Sequence, residues 1–280
     1  PFPGKKAIQI IEADLGLKIT DLFEEFSAEP IAAASIAQVH MARTIKGKKV
    51  AVKVLRPGIA KAFKRDLEAF TWLAGIAELF SNEARRLRPS KVIETIAEVI
   101  SLEMDLRIEA ASAAELKQNV KNNPYYDVPE VDWSRTSRRV LTTGWVDGIS
   151  FKKLEKIKSA GLNPNKLAEN LVQSFLSQAL NDGFFHADLH QGNLFASLDN
   201  KVTAIDFGIM GRIDLPTRRA LANILYGFAN QDYDRIAKAH FDMGYVPKNQ
   251  DYVNFKQAIR AIGEPVVGKP LSEISAGKLL

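Results

Sequence analysis

The chain has 280 residues, 46% hydrophobic and 25% charged, which is ordinary globular material and enough for one large two-lobed domain or two smaller ones. It has no cysteine, which excludes a disulfide frame and any thiolate metal site and fits a reducing compartment. The net charge of +5 is mild. Its basic clusters (Lys46/Lys48/Lys49, Arg85/Arg86/Arg88 and Arg135/Arg138/Arg139) read first as solvated faces and second as contacts for an anionic membrane surface or an acidic partner. No nucleic-acid motif accompanies them, so nucleic acid is not expected.

Residues 5–26 read as helical. Ile8, Ile11, Leu15 and Ile19 fall near one stripe and Gly16 marks a break. Thr20 or Asp21 is then placed to cap a second short helix through Leu22, Phe23 and Phe26. Pro30 sets the preceding residue extended, and Ile36, Val39 and Met41 suggest a strand. A basic turn around Gly47 leads to residues 50–55, the returning strand of a hairpin, which carries Lys53. A lysine in so apolar a strand needs a carboxylate or a phosphate to meet it. The pattern is that of a kinase V-A-I-K strand, whose lysine contacts phosphates and pairs with a helix glutamate. The loop before it, where glycines would cover the phosphates, is Ala32, Ala33, Ala34 and Ser35. Methyl groups there predict a stiffer loop with an altered hold on phosphate.

Helical patterns follow over 59–83 and, after Pro89, over about 91–120. Glu103, Asp105 and Glu109 lie on the second, and one carboxylate of this stretch is expected to face Lys53. Glu103 and Glu109, six apart, point to different faces and cannot have identical roles. Residues 123–133 read as a loop, 139–143 as a strand, and 144–148 as a connector whose backbone, at Gly144 and Val146, can offer an N–H and a C=O to an adenine edge. An amphipathic helix over 164–182 ends at Gly183, a left-handed cap.

Residues 183–195 follow, containing His186, Asp188 and Asn193 in the form H-x-D-x-x-x-x-N. Thirteen residues beyond Asn193 comes Asp206-Phe207-Gly208. A phosphoryl-transfer site of the kinase type needs an Asp to orient a hydroxyl, an Asn to hold a metal, and a second Asp to hold metal against nucleotide phosphates. A hairpin turning at Asp199 and Asn200 is expected to bring Asn193 and Asp206 together. Residues 215–245 read as helical, from a Pro216 suited to a first turn, and a last helix is expected near 251–262. The fold class is α+β, a smaller mixed lobe over 1–143 and a mostly helical lobe over 144–280. No apolar run reaches the length of a membrane span and no signal peptide is read. A first residue other than Met predicts a piece of a longer chain.

Residues 30–40, 50–54, 103–110, 183–195 and Asp206-Phe207-Gly208 together resemble the UbiB family of atypical kinases, associated with coenzyme Q (ubiquinone) biosynthesis. The resemblance implies a protein-kinase-like two-lobed fold with a modified N-lobe, ATP or ADP binding with Mg²⁺, and ATPase activity supporting the ubiquinone pathway. It implies partners among that pathway's enzymes or lipid intermediates, and a place in the bacterial cytoplasm at the inner membrane, or an organelle equivalent. It assigns Lys53 to the α- and β-phosphates and Glu109 to Lys53, with Glu103 the substitute. Glu103 and Asp105 match an E-x-D element near the phosphates. The resemblance makes Asp188 the expected catalytic base or water-orienting group and Asn193 and Asp206 the expected Mg²⁺ ligands, with Ala32, Ala33, Ala34 and Ser35 expected to cover the phosphates. The family's N-terminal K-x-G-Q element and the C-terminal membrane segments of some members do not occur in this sequence. A small-molecule or protein phosphotransferase, or a nucleotide-binding scaffold without catalysis, are the alternative readings.

Overall fold

The computed structural model describes residues 1–265. Helix α1 (Gly4–Leu15) buries Ala7, Ile10 and Ile11 along one stripe and ends at Gly16, whose left-handed φ of 71° glycine enters without a Cβ clash. Helix α2 (Ile19–Leu22) is one turn long, and its first amide donates to the Glu12 side chain (2.9 Å) rather than to Thr20 or Asp21. The second helix, expected through Phe26, stops at Leu22. Residues Phe23–Phe26 are strand β1, with Phe23 opposite Thr44 and Phe26 opposite Ala42. Two aromatics three apart fit a helix or an irregular strand equally, and pairing with a distant strand decides the outcome.

Strands β2 (Ala32–Ala33), β3 (Ala37–Thr44) and β4 (Lys49–Leu55) come next. Helices α3 (Ile59–Phe80), α4 (Asn82–Leu87), α5 (Pro89–Glu103) and α6 (Leu106–Asn119) lead to β5 (Tyr126–Asp127) and β6 (Val140–Gly144). The single helix expected over 91–120 is therefore two. Asp105 is extended, and its carboxylate caps α6 by accepting the Arg107 amide at 3.1 Å. Such a cap supplies the acceptor that the first turn of a helix lacks.

Strands β1, β3, β4 and β6 form one sheet in that order, with β2 added to β3. Val39 stands opposite Lys53, and Lys53 opposite Leu141. One face is covered by α1, where Ile10 and Ile11 pack with Phe23, Ala42, Val50, Val52, Val54 and Val140. Fully burying each of the larger side chains contributes about 1.5–3 kcal/mol, so this cluster anchors the sheet. Gln38 and His40 are buried too, satisfied by each other (2.9 Å), by the Phe2 backbone and by the Ser27 carbonyl. Strand alternation sends Val39, Met41, Ala51 and Lys53, all half-buried, to the opposite face.

The chain continues through β7 (Ile149–Ser150), α7 (Leu154–Ser159), α8 (Pro164–Ser177), β8 (Phe184–His186), β9 (Leu194–Ala196), β10 (Val202–Ala204), β11 (Met210–Arg212), α9 (Leu215–Ala229), α10 (Tyr233–Asp242) and α11 (Tyr252–Gly263). A second sheet has the order β5-β10-β9-β7. The chain divides into two compact units, residues 1–171 with 187–210, and residues 172–186 with those from 211 on. In the second unit the helix expected to reach Asp182 ends at Ser177 and widens into a π turn over Gln178–Asp182 before Gly183 (φ 68°). There Tyr233, Ile236, Ala237 and Ile259 form the core, and Asp214, Asp232 and Asp251 cap α9, α10 and α11. The stretch 215–245 is thus two helices, separated where Gln231 turns left-handed (φ 56°). Among the described residues no helix is long and apolar enough to cross a membrane.

Candidate active site

Lys53 meets the carboxylates that its burial demands. Its Nζ lies 2.7 and 2.8 Å from the two oxygens of Glu109 and 3.4 Å from Asp206 Oδ2. The side chains of Lys53 and Glu109 are 18% and 7% exposed, that of Asp206 43%. Burial pushes the Lys53 ammonium down, but the charges of Glu109 and Asp206 outweigh it and hold the pKa above the ordinary lysine range. Burial pushes the Glu109 carboxyl up, against the pull of Lys53. One ammonium facing two carboxylates leaves the cluster with excess negative charge. Glu109 is placed for this by the break at Asp105, which starts α6 afresh and puts Glu109 at a buried position of its first turn. Glu103 is exposed at the end of α5. Asp105 is engaged with Arg107, whose guanidinium holds the carboxyl below the usual range.

The loop after β8 is organised by its own backbone. The His190 amide donates to the Asp188 carbonyl (2.9 Å), and the Asn193 amide to the His190 carbonyl (3.0 Å). Asn193 Nδ2 reaches both the carbonyl and the carboxylate of Asp188 at 3.3 Å. Strands β9 and β10 pair Leu194 with Ala204, turning through Asn200 at φ 59°, and the Ile205 amide donates to the Asn193 carbonyl (3.0 Å). A chain of contacts thus links Asp188, Asn193, the segment bearing Asp206, Lys53 and Glu109. Asp206 Oδ1 accepts the Gly208 amide (3.2 Å), and the buried Phe207 turns its amide toward Glu109 (3.5 Å). His190 Nε2 stands 3.6 Å from Asp188.

Ala32 and Ala33 pair with Val39 and Gln38, and the Ala34 amide donates to the Ala37 carbonyl (2.9 Å), so the alanine-rich segment with Ser35 is a tight, exposed hairpin end. Arg56 grips it, donating from Nε and Nη2 to the Ala34 carbonyl at 3.2 and 2.8 Å. Sequence reasoning missed Arg56, although its place directly after the lysine strand was a usable signal. It also missed Val39 and Ala51, which alternation puts on the face of Lys53. Gly192, part of the 183–195 stretch that carries the resemblance, was given no role of its own: its amide donates to His190 Nδ1 (2.9 Å), and a Cβ there would lie 2.6 Å from the His190 ring. Gly144 and Val146 sit in and after β6, both half-buried. The Gly144 amide already donates to the Glu130 carbonyl (2.8 Å), so only its carbonyl is left for an adenine edge.

Residues 1–240 match the family model of the ABC1 atypical kinase-like domain. Along its whole length the chain is 41% identical to a "Probable protein kinase UbiB" of Marinobacter nauticus and 40% identical to one of Pseudomonas fluorescens. It spans about half the length of these relatives, 52% and 53%. Its fold is similar to that of Rv3197 from Mycobacterium tuberculosis in complex with erythromycin, with a TM-score of 0.73 and 24% identity over 95% of this chain and 67% of that one. Every residue of the constellation from Ala32 to Asp206 falls inside the matched domain. The fold is protein-kinase-like, and the chain belongs to the ABC1 atypical kinase-like family.

Proposed function

We propose that this chain binds ATP with Mg²⁺ and transfers the γ-phosphoryl group to water or to an acceptor in support of ubiquinone biosynthesis. The observation that carries the reading is the meeting of Lys53 with Glu109 and Asp206 at 2.7 and 3.4 Å. A lysine so held offers a fixed cation to the α- and β-phosphates, and fixed charge is the main catalytic resource in this reaction.

The donor set fits Mg²⁺: Asp206 and Asn193 offer hard oxygens, and the carboxylates outnumber the ammonium they surround. Among the described residues no group of three or more His, Asp or Glu could hold an ion unaided. Asn193 and Asp206 would hold the metal jointly with phosphate oxygens, as Mg²⁺ commonly requires. Bound there, Mg²⁺ supplies charge neutralisation at the phosphates. Asp188, 41% exposed and braced by Asn193, would orient the attacking water or hydroxyl and accept its proton at a carboxylate oxygen. Glu109 keeps Lys53 extended. The hairpin end at Ala32, Ala33, Ala34 and Ser35 would cover the phosphates, and Val39 and Ala51 would give adenine an apolar surface. The Gly144 carbonyl and Val146 amide would meet its edge. Glu103 and Asp105 stand near α6 without a phosphate role that the geometry favours. The name of the relatives hints at the ubiquinone pathway; its enzymes or lipid intermediates would be the partners, and a membrane the place of work.

The test is calorimetric titration of ATP and ADP with and without Mg²⁺, beside turnover. Asp206→Asn should lose Mg²⁺-dependent binding, and Asp188→Asn should keep binding and lose turnover. Unchanged binding in Asp206→Asn sinks the site. Normal ubiquinone in a strain whose sole copy carries Asp206→Asn sinks the pathway.

A further inference from the structure

The loop between β8 and β9 carries a histidine to which the proposed reaction gives no part. The His190 ring is half-exposed, yet it lies against the loop's own backbone: the Gly192 amide donates to its Nδ1 at 2.9 Å, and a Cβ at position 192 would stand 2.6 Å from its Cε1. An amide N–H can only donate, so Nδ1 accepts, and the neutral ring carries its proton on Nε2. Nε2 is the atom turned to Asp188, 3.6 Å from Oδ2. Asn193 Nδ2 approaches the same oxygen at 3.3 Å. Two N–H groups, from positions 190 and 193, thus converge on one carboxylate oxygen. Backbone bonds set their spacing, from the His190 amide to the Asp188 carbonyl and from the Asn193 amide to the His190 carbonyl.

A partly exposed carboxylate on a loop turns among its rotamers unless several donors hold it, and a reacting group must be held to a fraction of an ångström. The 3.6 Å gap is just beyond a hydrogen bond, and contacts of this kind shorten once the reacting groups are in place. We infer that His190 is a positioning residue: it presents the Nε2 proton to Asp188 Oδ2 and, with Asn193, fixes the carboxylate that addresses the nucleophile. Gly192 sets the tautomer from the other side of the ring. The inference rests on the reading of Asp188 as the group that orients the attacking water or hydroxyl.

Substitution separates this role from that of a mere clasp on the loop. Asparagine puts an amide oxygen at the place of Nδ1 and can still accept the Gly192 amide, but it has no donor at the place of Nε2. Glutamine reaches the place of Nε2 with an N–H and lacks the acceptor. His190→Asn should lower kcat for Mg²⁺-dependent ATP turnover roughly tenfold, the scale of one hydrogen bond to a charged group, with calorimetric ATP binding unchanged. His190→Gln should keep most of the rate. Full kcat in His190→Asn, a loss in His190→Gln as large as in His190→Asn, or ATP binding that weakens in step with turnover would overturn the inference and reduce His190 to a clasp. Nitrogen-15 NMR of the imidazoles at neutral pH gives a readout free of turnover, with the His190 signals identified by their loss in His190→Asn. A proton on Nε2 alone is expected, and a proton on Nδ1 would overturn the inference. Turnover that survives Asp188→Asn would sink the reading of Asp188 and this inference with it. An inactive Asp188→Asn beside a fully active His190→Asn would sink this inference alone.

Discussion

Lys53 and Glu109, 56 positions apart in sequence, are joined through both carboxylate oxygens at 2.7 and 2.8 Å. The pair ties the sheet, through β4, to α6, and sets the ammonium where Asp206 also reaches it. Buried ion pairs are costly to break from one side because the remaining charge stays desolvated.

Lys53→Met should therefore destabilise the fold by about 3–5 kcal/mol in urea unfolding, leaving Glu109 buried and unpaired. Lys53→Met with Glu109→Leu should recover most of that loss, since an apolar pair of similar volume removes the stranded charge. Neither variant should bind ATP. A double variant no more stable than Lys53→Met would show that desolvation of Glu109 is not the origin of the loss.

Arg56 holds the Ala34 carbonyl with two donors at 2.8 and 3.2 Å. Arg56→Ala should free the hairpin end and weaken ATP binding roughly tenfold by removing preorganisation, while changing stability by about 1 kcal/mol or less, because the contact is exposed. Arg56→Lys should not restore affinity, since an ammonium cannot reproduce the guanidinium fork. Equal ATP affinities for the wild type and Arg56→Ala would rule the clamp out.

Much of the candidate site's geometry was legible because it is written in local order. A lysine alone in an apolar strand, the spacing from Asp188 to Asn193, and the turn at Asn200 each have a short-range physical cause. What was not legible depends on distant partners. The residue pattern alone could not rank Glu103 and Glu109, which only the family resemblance ordered, because the apolar periodicity runs on across the break at Asp105, which ends one helix and caps the next. Phe23 and Phe26 became a strand only through pairing with Thr44 and Ala42. Arg56 has its role only because the hairpin returns Ala34 to it, and the widening after Ser177 leaves no trace in residue types.

A Cβ on Gly192 would stand 2.6 Å from His190 Cε1 and 2.8 Å from its Nδ1, so the half-exposed His190 ring that accepts the Gly192 amide would have to shift. Gly192→Ala should displace the loop between Asp188 and Asn193 and lower turnover about 10²-fold, the scale of a small misplacement of reacting groups. Far-ultraviolet circular dichroism should be unchanged. Adding His190→Ala makes room for the methyl and should recover part of the loss; no recovery would mean that His190 itself is needed for turnover.

Asp14 joins α1 to the start of β6, accepting from the Ser137 hydroxyl (2.9 Å) and from the Arg139 amide (3.1 Å) and Nε (2.9 Å). Burial pushes its carboxyl up, but the hydrogen bonds and charge of Arg139, with Ser137, outweigh burial and hold it below the ordinary range. A carboxylate with a depressed folded-state pKa contributes stability that is present above its unfolded value and lost as pH falls through the folded one. Asp14→Asn should therefore cost about 1.5–3 kcal/mol at neutral pH, the range for hydrogen bonds to a charged group. The gap between wild type and variant should close progressively in acid, once the carboxylate is protonated in both states. Lys53 acts at the other end: its raised pKa gives stability that is lost only as pH climbs through that value. Asp14→Asn should thus leave the alkaline limb of the stability profile unchanged and flatten only the acid limb. Urea unfolding across both limbs checks this, and a gap that persists undiminished in acid would show that Asp14 acts through shape rather than charge.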